Sequence, residues 1–307
     1  MLISVVVPVY RSGTHLELLH SRVASVLDGL GDWELVLVDD ASGDGTFEAM
    51  LSLRARDPRV RLVRFARNAG QQHATLCGLA RARGTYVFTL DDDLQNPPEE
   101  IPRFIEKMDE GFDLVIGRID GSKQHQWYRN IGSRLVQRMV SSIIGKPRGI
   151  ALSSYRCMSN RAARAISSYS GAHVYLPALM FNAVPVERIA NLMVPHHARL
   201  AGSSTYTTRK LLRLVSYLLI NYSNAPLRAA TIWGFTVSLA SLAYAAVVAV
   251  RALLYGSPVI GWPTMIVLVS FLSGNIMLCL GVLGEYIGRL VQENSRVARF
   301  PIFEEHG

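Results

Sequence analysis

The sequence predicts a doubly wound, mostly parallel α/β domain, then an interfacial helix and a hairpin of two membrane-crossing helices. Three observations carry this prediction. Short apolar runs rich in β-formers alternate with helix-length segments through the first two-thirds of the chain. Each run ends on polar or acidic residues, which makes the C-terminal edge of the sheet the ligand-binding edge. The apolar residues that lift mean hydropathy to +0.21 are concentrated after position 211, which points to a soluble front and a membrane-bound back.

Residues 2–7 read as a buried first strand closed by Pro8, Val9 and Tyr10, and residues 15–30 as the helix after it. Residues 34–38 are a second buried strand, ending in Asp39-Asp40-Ala41-Ser42-Gly43-Asp44-Gly45-Thr46. This segment mimics the start of a calcium loop, but its twelfth position is Leu51, where a bidentate Glu is required. Ser42, Asp44 and Thr46 suit the cap of the next helix. Asp39 and Asp40 lie earlier on the rim, free to hold a base or ribose. A third strand spans 60–65 and a helix 70–83; a fourth strand starts at Tyr86 and runs into Asp91, Asp92 and Asp93, ahead of Pro97-Pro98. Alternation along a strand sets Asp91 and Asp93 on one side and Asp92 on the other. Two such carboxylates suit a divalent cation shared with phosphate oxygens. An Asp-rich turn capping the next helix is the plainer alternative.

From residue 112 the pattern loosens. Residues 112–117 form a strand leading to Arg118, and residues 127–144 a long amphipathic helix. Arg129 and Ser133 are four apart on it and share a face that could grip one phosphate; a solvated basic face is the alternative. A further strand spans 184–194, and residues 198–208 are a Gly/Ser/Thr-rich loop or linker. Cys77, Cys157 and Cys279 are scattered and odd in number, which argues against a disulfide framework or a CxxC metal site. No secretory signal is expected, because residues 2–7 are too short and lack a basic leader. A net charge of +8 suits phosphorylated substrates, anionic lipid or nucleic acid.

Four motifs occur in order: Val7-Pro8-Val9-Tyr10, Val38 to Thr46, Arg67-Asn68-Ala69-Gly70 and Asp91 to Pro98. Together they resemble family 2 glycosyltransferases of the GT-A fold. Asp91 to Arg103, and the ending Gly284-Glu285-Tyr286-Ile287-Gly288-Arg289, look like the polyprenyl-phosphate branch. That branch includes dolichol-phosphate mannose synthase, prenyl-phosphate glucosyltransferases and undecaprenyl-phosphate formamido-arabinose transferase. The resemblance implies that Pro8, Val9, Tyr10, Asp39, Asp40 and Asp92 hold the nucleotide-sugar. It implies that Asp91 and Asp93 bridge Mg2+ or Mn2+ and the diphosphate, with Gln95 beside the donor sugar. Arg118, Arg129, Ser133 and Arg156 would hold the acceptor phosphate, Arg156 lying in a segment similar to the family's Ser-Phe-Arg-Leu strand; an internal ion pair is the alternative for Arg156. The chain departs from the pattern at Arg11-Ser12 (usually Asn-Glu), Ala41 (usually Gly), Asp92 (commonly Ala) and Ile150, where related enzymes often place an Asp.

Residues 208–225 carry Arg209, Lys210 and Arg213 against a leucine-rich face, the composition of an interfacial helix. Residues 229–251 follow, uncharged through Val250; such a run of about 22 residues spans ~33 Å as a helix, enough for a ~30 Å hydrocarbon core. Residues 262–284 are a second apolar run, with Trp262 at its boundary. Arg209, Lys210, Arg213, Arg228, Arg289, Arg296 and Arg299 flank the outer ends, against Arg251 alone near the link. This bias predicts a multi-pass inner-membrane protein with residues 1–207, a tail at 285–307 and both termini cytoplasmic.

The expected activity is inverting transfer of one sugar from a nucleotide donor, UDP-linked, to a polyprenyl phosphate of the undecaprenyl type at the bilayer surface. A homo-oligomer and no nucleic-acid partner are expected. Two rivals stand beside it. A processive polysaccharide synthase would need a Gln-x-x-Arg-Trp motif, but Gln126-Trp-Tyr-Arg129 ends in Asn130. A catalytically impaired nucleotide-sugar-binding scaffold draws on Arg11-Ser12 and Ile150, against the intact Asp91, Asp93 and Gln95.

Overall fold

In a computed structural model the β-branched and aromatic runs form strands β1 (Leu2–Val9), β2 (Asp32–Asp39), β3 (Val60–Phe65), β4 (Tyr86–Thr89), β5 (Leu114–Ile119) and β7 (Ile189–Val194), joined by β6 (Arg156–Ser159) and β8 (Ile302–His306), which lack such runs. The structure describes residues 1–119, 141, 144–171, 174–195, 223, 225–255, 261–294 and 300–307. Among the described residues these strands make one mixed sheet, ordered β7-β5-β6-β4-β1-β2-β3-β8. Strands β4, β1, β2 and β3 are mutually parallel; β6 runs antiparallel to β4 and β5, and β8 antiparallel to β3. The strand order reverses between β1 and β4, and such a switch point opens a crevice at the carboxyl ends of the strands.

Helices α1 (Leu16–Leu27), α2 (Thr46–Arg56), α3 (Gln71–Leu79), α4 (Ile101–Asp109), α5 (Asn160–Ser167) and α6 (Leu176–Ala183) belong to the same unit, Met1–Thr205 with Val297–Gly307. Helix α1 buries Leu16, Leu19, Val23 and Leu27, the three-and-four spacing of one helical face. Helix α3 lies so close to β1 that a Cβ on Gly78 would stand 2.3 Å from Val6 Cγ1; glycine is what permits that approach. Phe104 of α4 packs edge-on to Phe88 and 4.5 Å, centroid to centroid, from Tyr155. The Tyr155 hydroxyl donates to Pro97 O at 2.8 Å, anchoring the chain just after the acidic triplet.

Two sequence expectations change here. Strand β4 ends at Thr89, so Asp91 to Asp93 lie in a turn and strand alternation does not order them. Residues 302–306, expected within a tail, instead cover the edge of β3 as β8, an arrangement that removes an open strand edge. Arg81 grips Glu305 through two bonds of 2.9 Å, and Phe300 stacks on Phe65.

The second unit, Tyr206–Arg296, contains α7 (Ala225–Tyr255) and α8 (Trp262–Asn294), which hold the two uncharged runs. Trp233 Nε1 donates to Asn275 Oδ1 at 2.6 Å, and Asn275 Nδ2 to Phe271 O at 2.7 Å. The polar side chains are thus spent on one another while Phe235, Leu239 and Met277 face outward. Phe271–Gly288 is long and apolar enough to cross a membrane, the one such segment identified among the described residues.

Arg11, Ala41 and Leu94 have φ of 55°, 59° and 59°, left-handed backbone at three non-glycine residues beyond β1, β2 and β4. Each costs ~1–2 kcal/mol relative to a relaxed residue. Ala41→Gly is therefore expected to stabilise the sheet unit by up to ~1 kcal/mol, after the extra unfolded-state entropy of glycine is subtracted. Chemical denaturation checks it; a loss of stability would show that the Ala41 methyl makes a contact worth more than the strain.

Beyond α2, Asp57 accepts from Arg59 Nε, Nη2 and backbone N at 2.9, 2.8 and 3.0 Å and meets His20 Nε2 at 3.0 Å. These bonds, those from Arg59 foremost, hold its carboxyl well below the usual range. A depressed carboxylate contributes stability above its unfolded value of about 3.9 and loses it as pH falls toward the folded value. Asp57→Asn should cost ~1–3 kcal/mol at pH 7, with the deficit shrinking below about pH 3. Thermal melts at the two pH values test this; an undiminished deficit in acid would assign the effect to packing rather than charge.

Candidate active site

The cleft at the switch point is lined by Pro8, Val9 and Tyr10 from the end of β1, Asp40 after β2, Asn68, Gly70 and Gln71 after β3, and Asp91 to Asp93 after β4. Its volume of ≈ 420 Å³ lies in the ~300–1,000 Å³ range of small-molecule sites. Among the described residues, four carboxylates line it and none of the lining residues is Lys, Arg or His.

Neutral donors hold each acid in place. Asp40 accepts from the backbone N–H groups of Ala69 and Gly70 at 2.7 and 2.8 Å, and Asn68 Nδ2 donates to Asp40 O at 3.2 Å. That ties the Arg67-Asn68-Ala69-Gly70 motif to the second acidic loop. Asp91 accepts from Gln71 Nε2 at 2.6 Å, from Asn96 Nδ2 at 3.4 Å and from the Ser154 hydroxyl. Asp92 accepts from Tyr10 N at 3.3 Å and from the Ser12 hydroxyl. Asp93 Oδ1 accepts from Gln95 N at 3.2 Å, which closes the turn and sets Gln95 beside the triplet.

Burial pushes the carboxyls of Asp40, Asp91 and Asp92 above their usual values. Neighbouring acids push the same way: Asp39 acts on Asp40, Asp93 and Asp92 on Asp91, and Asp93 on Asp92. Hard oxygens crowded against one another are the donor set that Mg2+ or Mn2+ fits. Among the described residues no three His, Cys, Asp or Glu side chains converge closely enough to hold an ion by themselves. Mg2+ usually takes one or two carboxylates and completes its shell with substrate phosphate and water, so Asp91 and Asp93 suit a shared ion.

Other expected residues stand elsewhere. Asp39 is fully buried outside the cleft lining; its Oδ1 accepts from Ser42 N and Oγ, and its Oδ2 lies 3.6 Å from Arg64 Nε. It braces the loop that presents Asp40. Arg156, on β6, is buried too: its Nε donates to Ser153 O at 2.8 Å and Nη1 approaches Met180 Sδ at 3.0 Å. Burial pushes its pKa down to about 10. Arg118 is exposed near the end of β5. Arg129 and Ser133 lie outside the described residues. Sequence pattern assigns no role to Gln71, Ser12 or Ser154; the place of Gln71 directly after the Asn68-Ala69-Gly70 motif is the one signal for it.

Comparison with known proteins agrees with this arrangement. The family model for Glycosyl transferase family 2 matches residues 4–167. The chain is 35% identical to the undecaprenyl-phosphate 4-deoxy-4-formamido-L-arabinose transferase of Edwardsiella ictaluri (strain 93-146), over 95% of this chain and 90% of that protein. It is 34% identical to the transferase of the same name from Enterobacter sp. (strain 638), over 94% and 88%. The crystal structure of glucosyl-3-phosphoglycerate synthase from Mycobacterium tuberculosis with Mn2+ and uridine-diphosphate-glucose aligns with a TM-score of 0.52. That alignment covers 71% of this chain and 77% of that one at 22% identity, a likeness of fold. With the family model matching more than half of its length and relatives matching nearly all of it, the chain belongs to glycosyl transferase family 2.

Proposed function

We propose that this glycosyltransferase moves a single sugar, with inversion, from a UDP-linked donor to a polyprenyl phosphate of the undecaprenyl type. The observation that carries the donor half is the cleft itself, where Asp91 and Asp93 sit with Asp40 at the carboxyl ends of parallel strands and none of the described lining residues is basic. A divalent cation, Mg2+ or Mn2+, held by Asp91 and Asp93 would neutralise the charge that builds on the departing diphosphate. The chain's own residues supply the geometry: Gln71 and Ser154 orient Asp91, and Asp40 holds the 68–70 loop that forms the cleft wall. The acceptor half is supported by the names of the two curated relatives.

Position 150 supports the same acceptor. Ile150 is half-buried in a segment that Asn191 pins from both sides, accepting from Ala151 N at 3.1 Å and donating to Gly149 O at 2.8 Å. An apolar side chain there cannot act as a general base. A sugar hydroxyl needs one, whereas a phosphate monoester with a second pKa near 6 is already largely dianionic at neutral pH. Such an acceptor needs orientation and charge screening, the task assigned to Arg129 and Ser133 with Arg118. Residues 208–225, 229–251 and 262–284 would then keep the enzyme on the bilayer as an interfacial helix and a hairpin, both termini cytoplasmic, so that the lipid phosphate need not leave the interface. A homo-oligomer in the inner membrane completes the reading.

Formation of labelled lipid from labelled UDP-sugar in membranes, with mass spectrometry of the product, tests the reaction as a whole. Asp93→Asn should reduce transfer by two orders of magnitude or more while leaving the chain folded in the membrane, since a charge clamp on the leaving group supplies several kcal/mol. Undiminished turnover in that variant, or full activity in EDTA, would remove the cation from the reaction.

The acceptor class is tested by paired kinetics at saturating donor. Asp120→Asn, at an acid near Arg118 in sequence, should lower turnover by less than about tenfold, short of the ~10²–10⁴-fold effect of removing a general base. Arg129→Ala should do more damage, chiefly by raising the KM for lipid phosphate. A thousand-fold loss in Asp120→Asn beside a mild Arg129→Ala would mean an acceptor with a proton to give up.

A further inference from the structure

Asp92 does not share the surroundings of the carboxylates beside it. Its Oδ2 accepts from the backbone N–H of Tyr10 at 3.3 Å and from the Ser12 hydroxyl, both on the loop that leaves β1. The next donor along, Arg11 N–H, reaches Ser42 Oγ at 3.0 Å on the loop that leaves β2, and Gly13 N–H reaches Thr46 Oγ1 at 3.2 Å. Consecutive residues thus lace the β1 loop to the acidic loops on either side of it. That lacing holds against backbone strain, since Arg11 takes a left-handed φ of 55°. Asp91, by contrast, is held from α3 by Gln71 and from the segment before β6 by Ser154.

Positions 12 and 92 both depart from the pattern the sequence resembles, and in the fold the two departures touch each other. A Glu at position 12 would set one carboxylate against another. An Ala at position 92 would remove the acceptor that Ser12 and Tyr10 N–H share. The two substitutions are therefore one physical feature, a link between segments 80 positions apart in the chain.

We infer that Asp92 is a positioning residue and not a donor ligand: with Ser12 it forms a strut that fixes the Asp91–Asp93 turn to the β1 loop. The strut sets the spacing of Asp91 and Asp93 toward a cation shared with a diphosphate, and to that extent rests on the donor-site reading above. What the strut requires of residue 92 is a hydrogen-bond acceptor, not a charge. Removing groups that orient metal-binding residues typically weakens metal affinity by about 10–100-fold.

The test titrates the full chain in detergent with Mn2+, alone and with UDP, reading free Mn2+ by electron paramagnetic resonance and following the melting temperature in parallel. Ser12→Ala and Asp92→Ala are expected to weaken Mn2+ binding about tenfold or more. Asp92→Asn, whose amide oxygen accepts the same bonds, should stay within about threefold of the parent. The double variant Ser12→Ala/Asp92→Ala should bind no more weakly than Asp92→Ala, the non-additivity of a contacting pair. If Asp92→Asn is as damaging as Asp92→Ala, the charge itself is the ligand and the inference fails. Parent-like affinity in Ser12→Ala overturns it equally. Should Asp92→Ala not fold, Ser12→Ala and Asp92→Asn decide the matter between them. Absence of Mn2+ binding by the unsubstituted chain in the presence of UDP would sink the donor-site reading, and the strut with it.

Discussion

Like charges crowded into a half-buried cleft are the constraint around which the sheet unit is arranged. Asp40, Asp91, Asp92 and Asp93 all line it. Desolvation and mutual repulsion oppose ionisation of Asp40, Asp91 and Asp92. The fold answers with neutral donors: backbone N–H groups at Ala69, Gly70, Tyr10 and Gln95, side-chain amides at Gln71 and Asn96, hydroxyls at Ser12 and Ser154. These dipoles make the hydrogen bonds that fix the carboxylates, while the buried Arg156 favours the ionised form of Asp91 through its charge. The site is left attractive to a cation, which a basic side chain in the same place would have displaced.

This arrangement depends on elements far apart in sequence meeting at one edge. Parallel pairing of β1, β2 and β4 brings three loop starts together, and the order reversal between β1 and β4 leaves the gap between them. The buried Tyr155–Pro97 bond holds the turn after the triplet from the β6 side, and Asn191 on β7 holds the segment containing Ile150. The antiparallel half of the sheet thus supports the acidic edge from one side, while left-handed residues at 11, 41 and 94 carry the strain of the sharp exits.

The chain also divides its labour along its length. The sheet unit takes up the residues from both ends, since β8 pairs with β3, and the apolar α7 and α8 are inserted between them. Phe235, Leu239 and Met277 on these helices are exposed. Of their polar groups, Trp233 Nε1 and Asn275 Oδ1 are bonded to one another.

Periodicity and composition by themselves determined the α/β alternation, the position of the acidic edge and the two apolar helical runs, and four short motifs carried the family resemblance. Each of those is written locally: a buried strand is a run of β-formers, and its end is where charge resumes. Only the tertiary structure decided which acid meets which partner. Asp39 and Asp40 are adjacent in the chain, yet one is sealed behind the loop and the other lines the cleft, because β2 ends between them. Arg156 reads from its segment as a candidate for substrate phosphate or as an internal ion pair, and pairing of β6 with β4 places it inside. Ser12 and Asp92 each look like an isolated departure until parallel pairing of β1 and β4 sets their loops side by side. A β8 strand from the chain's end is likewise invisible to periodicity, since its pairing is with residues more than two hundred positions earlier. Contacts of that separation are set by sheet order, which local sequence pattern does not encode.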